Sequence, residues 1–257
     1  MTRKQWSVVA VTLVALAVAA GSPAAAQETP GTIAQVVVTR VRPGMGKQYQ
    51  EGRKRHLAWH KRQGDPWSWH TWQVTSGPDT GHYVTVTFGH HWKDFDTWET
   101  RFGEGDDADV ELNLAPHSEA TTVAYFDLLA DVSRPPASPT PARMSEVVHF
   151  FLKPGQVQQF RHAIRRAHEA IGKTSWPEHY FWYELWNGGE GPHFVLVLPR
   201  GSWADMAEPE VSFPAMLTKA FGPYEAGAIL DAFGQASKSQ SSEVLRYRPD
   251  LSHVASP

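Results

Sequence analysis

The chain of 257 residues contains no cysteine, and that absence removes several chemistries at once. Disulfides, thiol nucleophiles, thiolate zinc sites and covalently attached haem are excluded, so stability has to come from packing. An excess of one charge is missing too, with 24 Lys and Arg against 27 Asp and Glu. This balance supplies no cationic surface for a polyanion, and nucleic acid is not an expected partner. An apolar run of the roughly 20 residues needed to span a bilayer is also lacking. The longest run, from Val8 to Ala20, follows Arg3-Lys4 and precedes Ala24-Ala25-Ala26. A basic start, a short apolar stretch and a small-residue end predict a cleavable export signal over residues 1–26 rather than a retained anchor. The expected location is the periplasm or the exterior, with no integral membrane segment after cleavage. Cleavage removes two basic residues and no acidic one, leaving 22 Lys and Arg against 27 Asp and Glu, a net of −5.

Familiar nucleophile and phosphate motifs are absent as well. There is no GxSxG elbow and no GxGxxG fingerprint, and Gly172-Lys173-Thr174 lacks the earlier glycine of a phosphate-binding loop, Ala167 standing in its place.

What the chain does have is a repeat at a constant offset of 111. Val36-Val37 returns as Val147-Val148, Pro43-Gly44 as Pro154-Gly155, Arg55 as Arg166, Gly77 as Gly188, His82 as His193, Trp92 as Trp203 and Asp94 as Asp205. A duplicated unit dictates architecture before any single residue is interpreted. The first copy spans residues 34–131 and the second 144–250. Residues 132–143, rich in proline that cannot donate to a ladder, form an extended linker. Each copy reads as a strand (Ile33 to Val41; Met144 to Leu152), a Pro-Gly turn, and a helix (Met45 to Gln63; Gln156 to Lys173). Two aromatic, β-branched strands follow (Trp67 to Thr75 and His82 to Phe88; Glu178 to Trp186 and His193 to Leu198). A second helical region opens at Trp92 or Trp203, and a last strand covers Thr121 to Leu129 or Glu243 to Tyr247.

The order β-α-β-β-α-β predicts an α+β fold of two tandem ferredoxin-like repeats. Each antiparallel sheet has one face covered by its own helices, and the other faces meet in an intramolecular barrel. With this element order, the strand-Pro-Gly-helix entry and the aromatic middle strands, the chain resembles the dimeric α/β-barrel superfamily in tandem-fused form. That group includes antibiotic-biosynthesis monooxygenase-like, NIPSNAP-like and EthD-like proteins. The resemblance covers residues 34 to 248 and brings no family catalytic residue with it. It implies cofactor-independent proton-transfer or oxygenation chemistry on an aromatic or polyketide-like substrate.

The two copies disagree on their first helix. In the second copy Val157, Phe160, Ile164, Ala167 and Ile171 form an apolar stripe at 3-4 spacing. The same positions in the first copy are Gly46, Tyr49, Arg53, His56 and His60. Burying such groups costs several kcal/mol unless they are paired, so the stripe either lines a polar cavity or belongs to a helix rolled to present Leu57, Ala58 and Trp59. The cavity reading makes copy one the working half and copy two the structural half. Tyr49, Arg53, His56 and His60 are then its catalytic wall. Imidazole titrates near neutrality, Arg53 could bind a carboxylate or enolate, and the basic neighbours Lys54 and Arg55 join Arg53 in favouring neutral His56. His70 and Trp72 on one strand, with Thr85 and Thr87 where copy two has Leu196 and Leu198, are the ligand-binding candidates.

A small-molecule ligand is expected, without a cofactor, and a homo-oligomer is compatible with the fold. His56 and His60, at i and i+4, make an incomplete metal site; no carboxylate accompanies them at a useful spacing, and no metal is expected. A non-catalytic ligand-binding protein, or a metal- or haem-associated protein with one of these histidines as ligand, remain the alternatives. The acidic stretch Glu104, Asp106, Asp107, Asp109 and Glu111 reads as a solvated loop, His82 and His193 as structural hydrogen-bonding residues, and the tail after Arg248 as polar and mobile.

Overall fold

The computed structural model describes residues 29–138 and 140–255. The expected export signal lies outside the described residues. Copy one runs β1 (Ile33–Val41), α1 (Gly46–Gln63), β2 (His70–Ser76), β3 (Tyr83–His90), α2 (Trp92–Trp98), α3 (Glu104–Asn113) and β4 (Ser118–Leu128). Copy two runs β5 (Met144–Leu152), α4 (Val157–Thr174), β6 (Phe181–Asn187), β7 (His193–Arg200), α5 (Phe213–Phe221), α6 (Pro223–Ala236) and β8 (Ser237–Tyr247). The eight strands close one antiparallel barrel in the order β1-β3-β2-β8-β5-β7-β6-β4. The α+β architecture is the expected one. Closure comes from edge pairing, since β2 of the first copy joins β8 of the second and β4 joins β6. Each copy thereby covers the other's exposed edges.

Alternation along the strands separates two interiors. Trp72, Val74, Val84, Val86, Val147, Val195 and Leu245 fill the barrel itself. The outward faces lie under helices, and there the copies diverge. Beneath α4, α5 and α6 the second copy packs a wholly apolar layer around Phe160, Ile164, Ala170, Ile171, Met216 and Leu217. Beneath α1 and α3 the first copy buries Arg53, His56, His60, Asp65, Thr71 and Thr85 instead.

Several expectations need correcting. The acidic stretch is no loop. It is helix α3, continued from α2 through a π turn at Glu99–Gly103. Its inward side chains find imidazole partners, which offsets the cost of their burial. The tail is not free either: Leu251 is fully buried, and Trp69 and His253 exchange backbone hydrogen bonds of 2.7 and 2.9 Å, because the start of β2 needs a ladder partner. Trp203 opens only a short 3-10 turn, Trp203–Met206, and the second helical region of that copy begins at Phe213. β8 starts six residues earlier than expected, at Ser237, since pairing with β5 overrides the low strand propensity of its Ser-rich half. His82 does have the structural role, with Nδ1 accepting from Val41 N at 3.0 Å.

Candidate functional site

Helix α1 has not rolled. Tyr49, Arg53, His56 and His60 are all buried on the face toward the sheet, while Ala58 is exposed. Tyr49 stacks on Tyr83 with ring centroids 4.8 Å apart. Arg53 reaches the Thr71 hydroxyl at 3.3 Å and the Leu251 carbonyl at 3.4 Å.

The two imidazoles meet one turn further on. His60 Nδ1 lies 2.8 Å from Asp65 Oδ2, and His56 Nδ1 lies 2.9 Å from Asp109 Oδ1. In the tautomer in which each Nδ1 donates to its carboxylate, each Nε2 keeps its lone pair. These two Nε2 atoms face one another at 3.0 Å. Asp106 Oδ1 closes a triangle with them, 3.5 Å from His56 Nε2 and 3.4 Å from His60 Nε2. This oxygen is buried and makes no hydrogen bond. Three atoms able to ligate a metal thus converge on one point.

Electrostatics follow from burial. Desolvation, with Arg53 and His60 alongside, holds His56 far below the ordinary imidazole range. His60 is lowered by burial as well, although Asp65 opposes the shift. Burial pushes Asp106 up to about 7, with Asp107, Asp65 and Asp109 adding to the rise and Arg53 opposing it. Burial alone would raise Asp65, but donors from His60, the Trp67 backbone and Trp69 outweigh it and hold this carboxyl below its usual range. Asp65 also accepts from the Trp98 indole at 3.1 Å.

Two glycines let α3 come this close. A Cβ on Gly52 would sit 1.9 Å from the Asn113 carbonyl oxygen, and one on Gly105 would sit 2.9 Å from the Trp59 ring. The π turn before α3 sets the rotation that aims Asp106 and Asp109 at the imidazoles, a role such turns often have at functional sites.

The ligand-binding candidates do not share one space. Thr85 lies under α1, its hydroxyl 3.1 Å from that of Thr71. Thr87 is held by His90 Nε2 at 2.6 Å. His70 and Trp72 face the barrel interior, where His70 Nδ1 meets the Tyr247 hydroxyl at 3.1 Å and the Trp72 indole nitrogen is buried without a partner.

Sequence reasoning missed Asp65, Asp106 and Asp109. One signal was readable, since Asp65 answers Trp176 at the repeat offset, directly after matching helix ends at Gly64 and Ser175. A lone charge where the twin has an indole marks a displaced core position.

No family model matches the chain, and neither does any curated protein. Solved structures do match. A proposed monooxygenase from Lactobacillus acidophilus aligns at a TM-score of 0.54 with 8% identity, over 89% of this chain and 97% of that one. An anthrone oxidase-like protein aligns equally well, at 0.54 and 8%, over 88% and 94%. The fold is that of the dimeric α/β barrel. At such identity the likeness carries no residue across, so the barrel's chemistry has to be read from its own side chains. Among the described residues, His56, His60 and Asp106 are the group of three with metal-ligand atoms close enough to hold an ion. No helix among them is long and apolar enough to cross a membrane.

Proposed function

We propose that the first repeat holds a single divalent transition-metal ion, bound by His56 Nε2, His60 Nε2 and Asp106 Oδ1, and that the protein is a metal-dependent enzyme of small-molecule oxygen chemistry. The convergent triangle carries this reading. Ligands placed tetrahedrally at metal bonds of 2.0–2.1 Å stand about 3.3 Å apart, close to the 3.0, 3.4 and 3.5 Å found here. A proton on Asp106 would satisfy one imidazole lone pair and leave the other facing it. A cation satisfies all three atoms.

Charge points the same way. Burial beside Asp107, Asp65 and Asp109 makes a charge on Asp106 costly, and a bound divalent ion would offset that cost. Two nitrogens and one carboxylate oxygen suit Fe(II), Co(II), Cu(II) or Zn(II) better than magnesium or calcium. Asp65 and Asp109, each holding the far nitrogen of a ligand histidine, are the outer partners that metal imidazoles require. Tyr49 and Arg53 extend the polar wall along α1, with Arg53 set to orient an anionic group. The fold shared with a proposed monooxygenase and an anthrone oxidase-like protein supports oxygenation of an aromatic or polyketide-like molecule as the first reaction to screen. We also retain export to the periplasm as part of this reading, on the strength of residues 1–26.

Elemental analysis after loading with Fe(II), Co(II) or Zn(II) tests the proposal. One ion per chain is expected, reduced to background in His56→Ala, His60→Ala and Asp106→Asn variants whose circular dichroism stays native. A wild-type protein that takes up no metal overturns it, and the buried network then reverts to a cofactor-independent acid-base site.

A further inference from the structure

Tryptophans crowd the first repeat, and their hydrogen bonds lead straight from the candidate metal ligand. Asp65 Oδ2, which holds His60 Nδ1, also accepts from the Trp69 indole at 2.8 Å, while Asp65 Oδ1 takes the Trp98 indole. From there the rings run outward. Trp69 lies 6.0 Å from Trp67 and 5.6 Å from Trp98, and Trp67 and Trp98 stack at 5.4 Å. Phe95 bridges Trp67 to Trp92 with contacts of 5.1 and 5.8 Å, and Trp92 meets Trp186 at 5.8 Å. Trp186 is 65% exposed. Every step in this chain is well inside the reach of single-step electron tunnelling.

We propose that this array is an electron relay joining the His56–His60–Asp106 centre to the surface at Trp92 and Trp186. Its role rests on the metal reading above; its conductivity does not. The oxidant is a peroxide, which takes two electrons and two protons at the centre and leaves as two waters (H2O2 + 2 H+ + 2 e− → 2 H2O). The electrons come one at a time from a one-electron donor at the exposed end. Trp69 gives up an electron inward, and its indole proton, made strongly acidic by the loss, shifts along the hydrogen bond toward Asp65. An electron passed in through Trp67 or Trp98 restores Trp69, the proton returns, and the vacancy moves out to Trp92 and Trp186. The Asp65 carboxyl, which accepts from both the Trp69 and Trp98 indoles, lies directly against the ring that is oxidised.

The second repeat is the internal control. Trp182 is as deeply buried as Trp69, at 6% against 7% exposed, yet its contacts run through Phe160, Phe233 and Phe213 before they meet the next tryptophan, Trp176, whereas the single ring of Phe95 separates Trp67 from Trp92.

The relay can be tested on metal-free protein by flash-generating tris(bipyridine)ruthenium(III), an oxidant too bulky to enter, and mapping oxidised tryptophans by mass spectrometry. Oxidation at Trp69 should exceed that at Trp182 severalfold, and should drop severalfold in a Trp92→Phe/Trp186→Phe variant, both of whose positions are largely exposed. Equal oxidation at Trp69 and Trp182, or a Trp69 yield unchanged in the double variant, overturns the proposal. Since no metal is present, a failed relay and a failed metal site are read separately. In iron-loaded protein treated with hydrogen peroxide, an indole radical signal should appear by electron paramagnetic resonance and vanish in Trp69→Phe. A signal that persists in that variant removes Trp69 from the path.

Discussion

Helices α1 and α4 are each 18 residues long, sit on matching strands and end in the same left-handed turn, at Gly64 and Ser175. Both then fold back through the same backbone hydrogen bond, Asp65 N to the His60 carbonyl and Trp176 N to that of Ile171. Below that shared frame they differ completely. One seats Phe160, Ile164 and Ile171 in an apolar layer, and the other seats Arg53, His56 and His60 against three carboxylates. Duplication lets a single chain keep one half as a stable scaffold and use the other for groups that would be costly in any core. The closed barrel ties the two, because each half pairs its edge strands with the other's.

The comparison breaks hardest at Asp65. Replacing it with alanine strips His60 of its outer partner and leaves the Trp69 and Trp98 indoles without an acceptor. Metal affinity should fall by roughly 10- to 100-fold, the usual cost of losing such a group. Unpaired buried donors should take about 1–3 kcal/mol each from stability. Trp176→Ala, at the twin position, should lower only the melting point. Competition titration with a chelator and thermal melts separate the two, and an Asp65→Ala protein with wild-type metal affinity would detach Asp65 from the site.

Packing of α3 on α1 is the next point of difference. Gly52 answers Ala163 at the repeat offset, and only the first copy brings a helix so close that a Cβ would strike a backbone carbonyl. Gly52→Ala should therefore destabilise by about 1–3 kcal/mol and weaken metal uptake by displacing Asp106 and Asp109. The reverse change, Ala163→Gly, should cost about 1–2 kcal/mol through helix propensity and the loss of one buried methyl, and leave metal uptake unchanged. Equal effects of the two substitutions on metal uptake would show that the close α1–α3 approach does not position the ligands.

How far these differences were legible depends on the kind of signal each left. The repeat, the strand and helix order and the polar stripe of α1 are periodic, and period is what a sequence displays most directly. The carboxylates are not periodic with anything. Asp106 and Asp109 arrive through a π turn that shifts the helical phase, so no 3-4 spacing linked them to the histidines, and their acidic neighbours made the stretch look solvated. The tail misled for a similar reason. Its contacts to Trp69, Thr71 and Arg53 span about 180 to 200 residues, a distance over which local composition says nothing.

The smallest effect concerns His193, the counterpart of His82. His82 accepts a backbone hydrogen bond, whereas His193 stacks on Phe151 at 4.3 Å and meets His149 Nδ1 at 3.0 Å. Burial, with His149 adding to it and Glu190 opposing, lowers the His193 pKa to about 4. The unfolded chain takes up a proton near pH 6.5, where the folded protein still resists it. The stability this neutral imidazole contributes is complete above that value and is lost as pH falls toward 4, by roughly 2 kcal/mol at pH 5. His193→Asn should flatten that part of the melting profile between pH 7 and 5 while costing little at neutral pH. A variant whose melting point drops between those values as steeply as wild type would mean that the imidazole is already charged in the folded state, and that this end of the barrel is wetter than its packing implies.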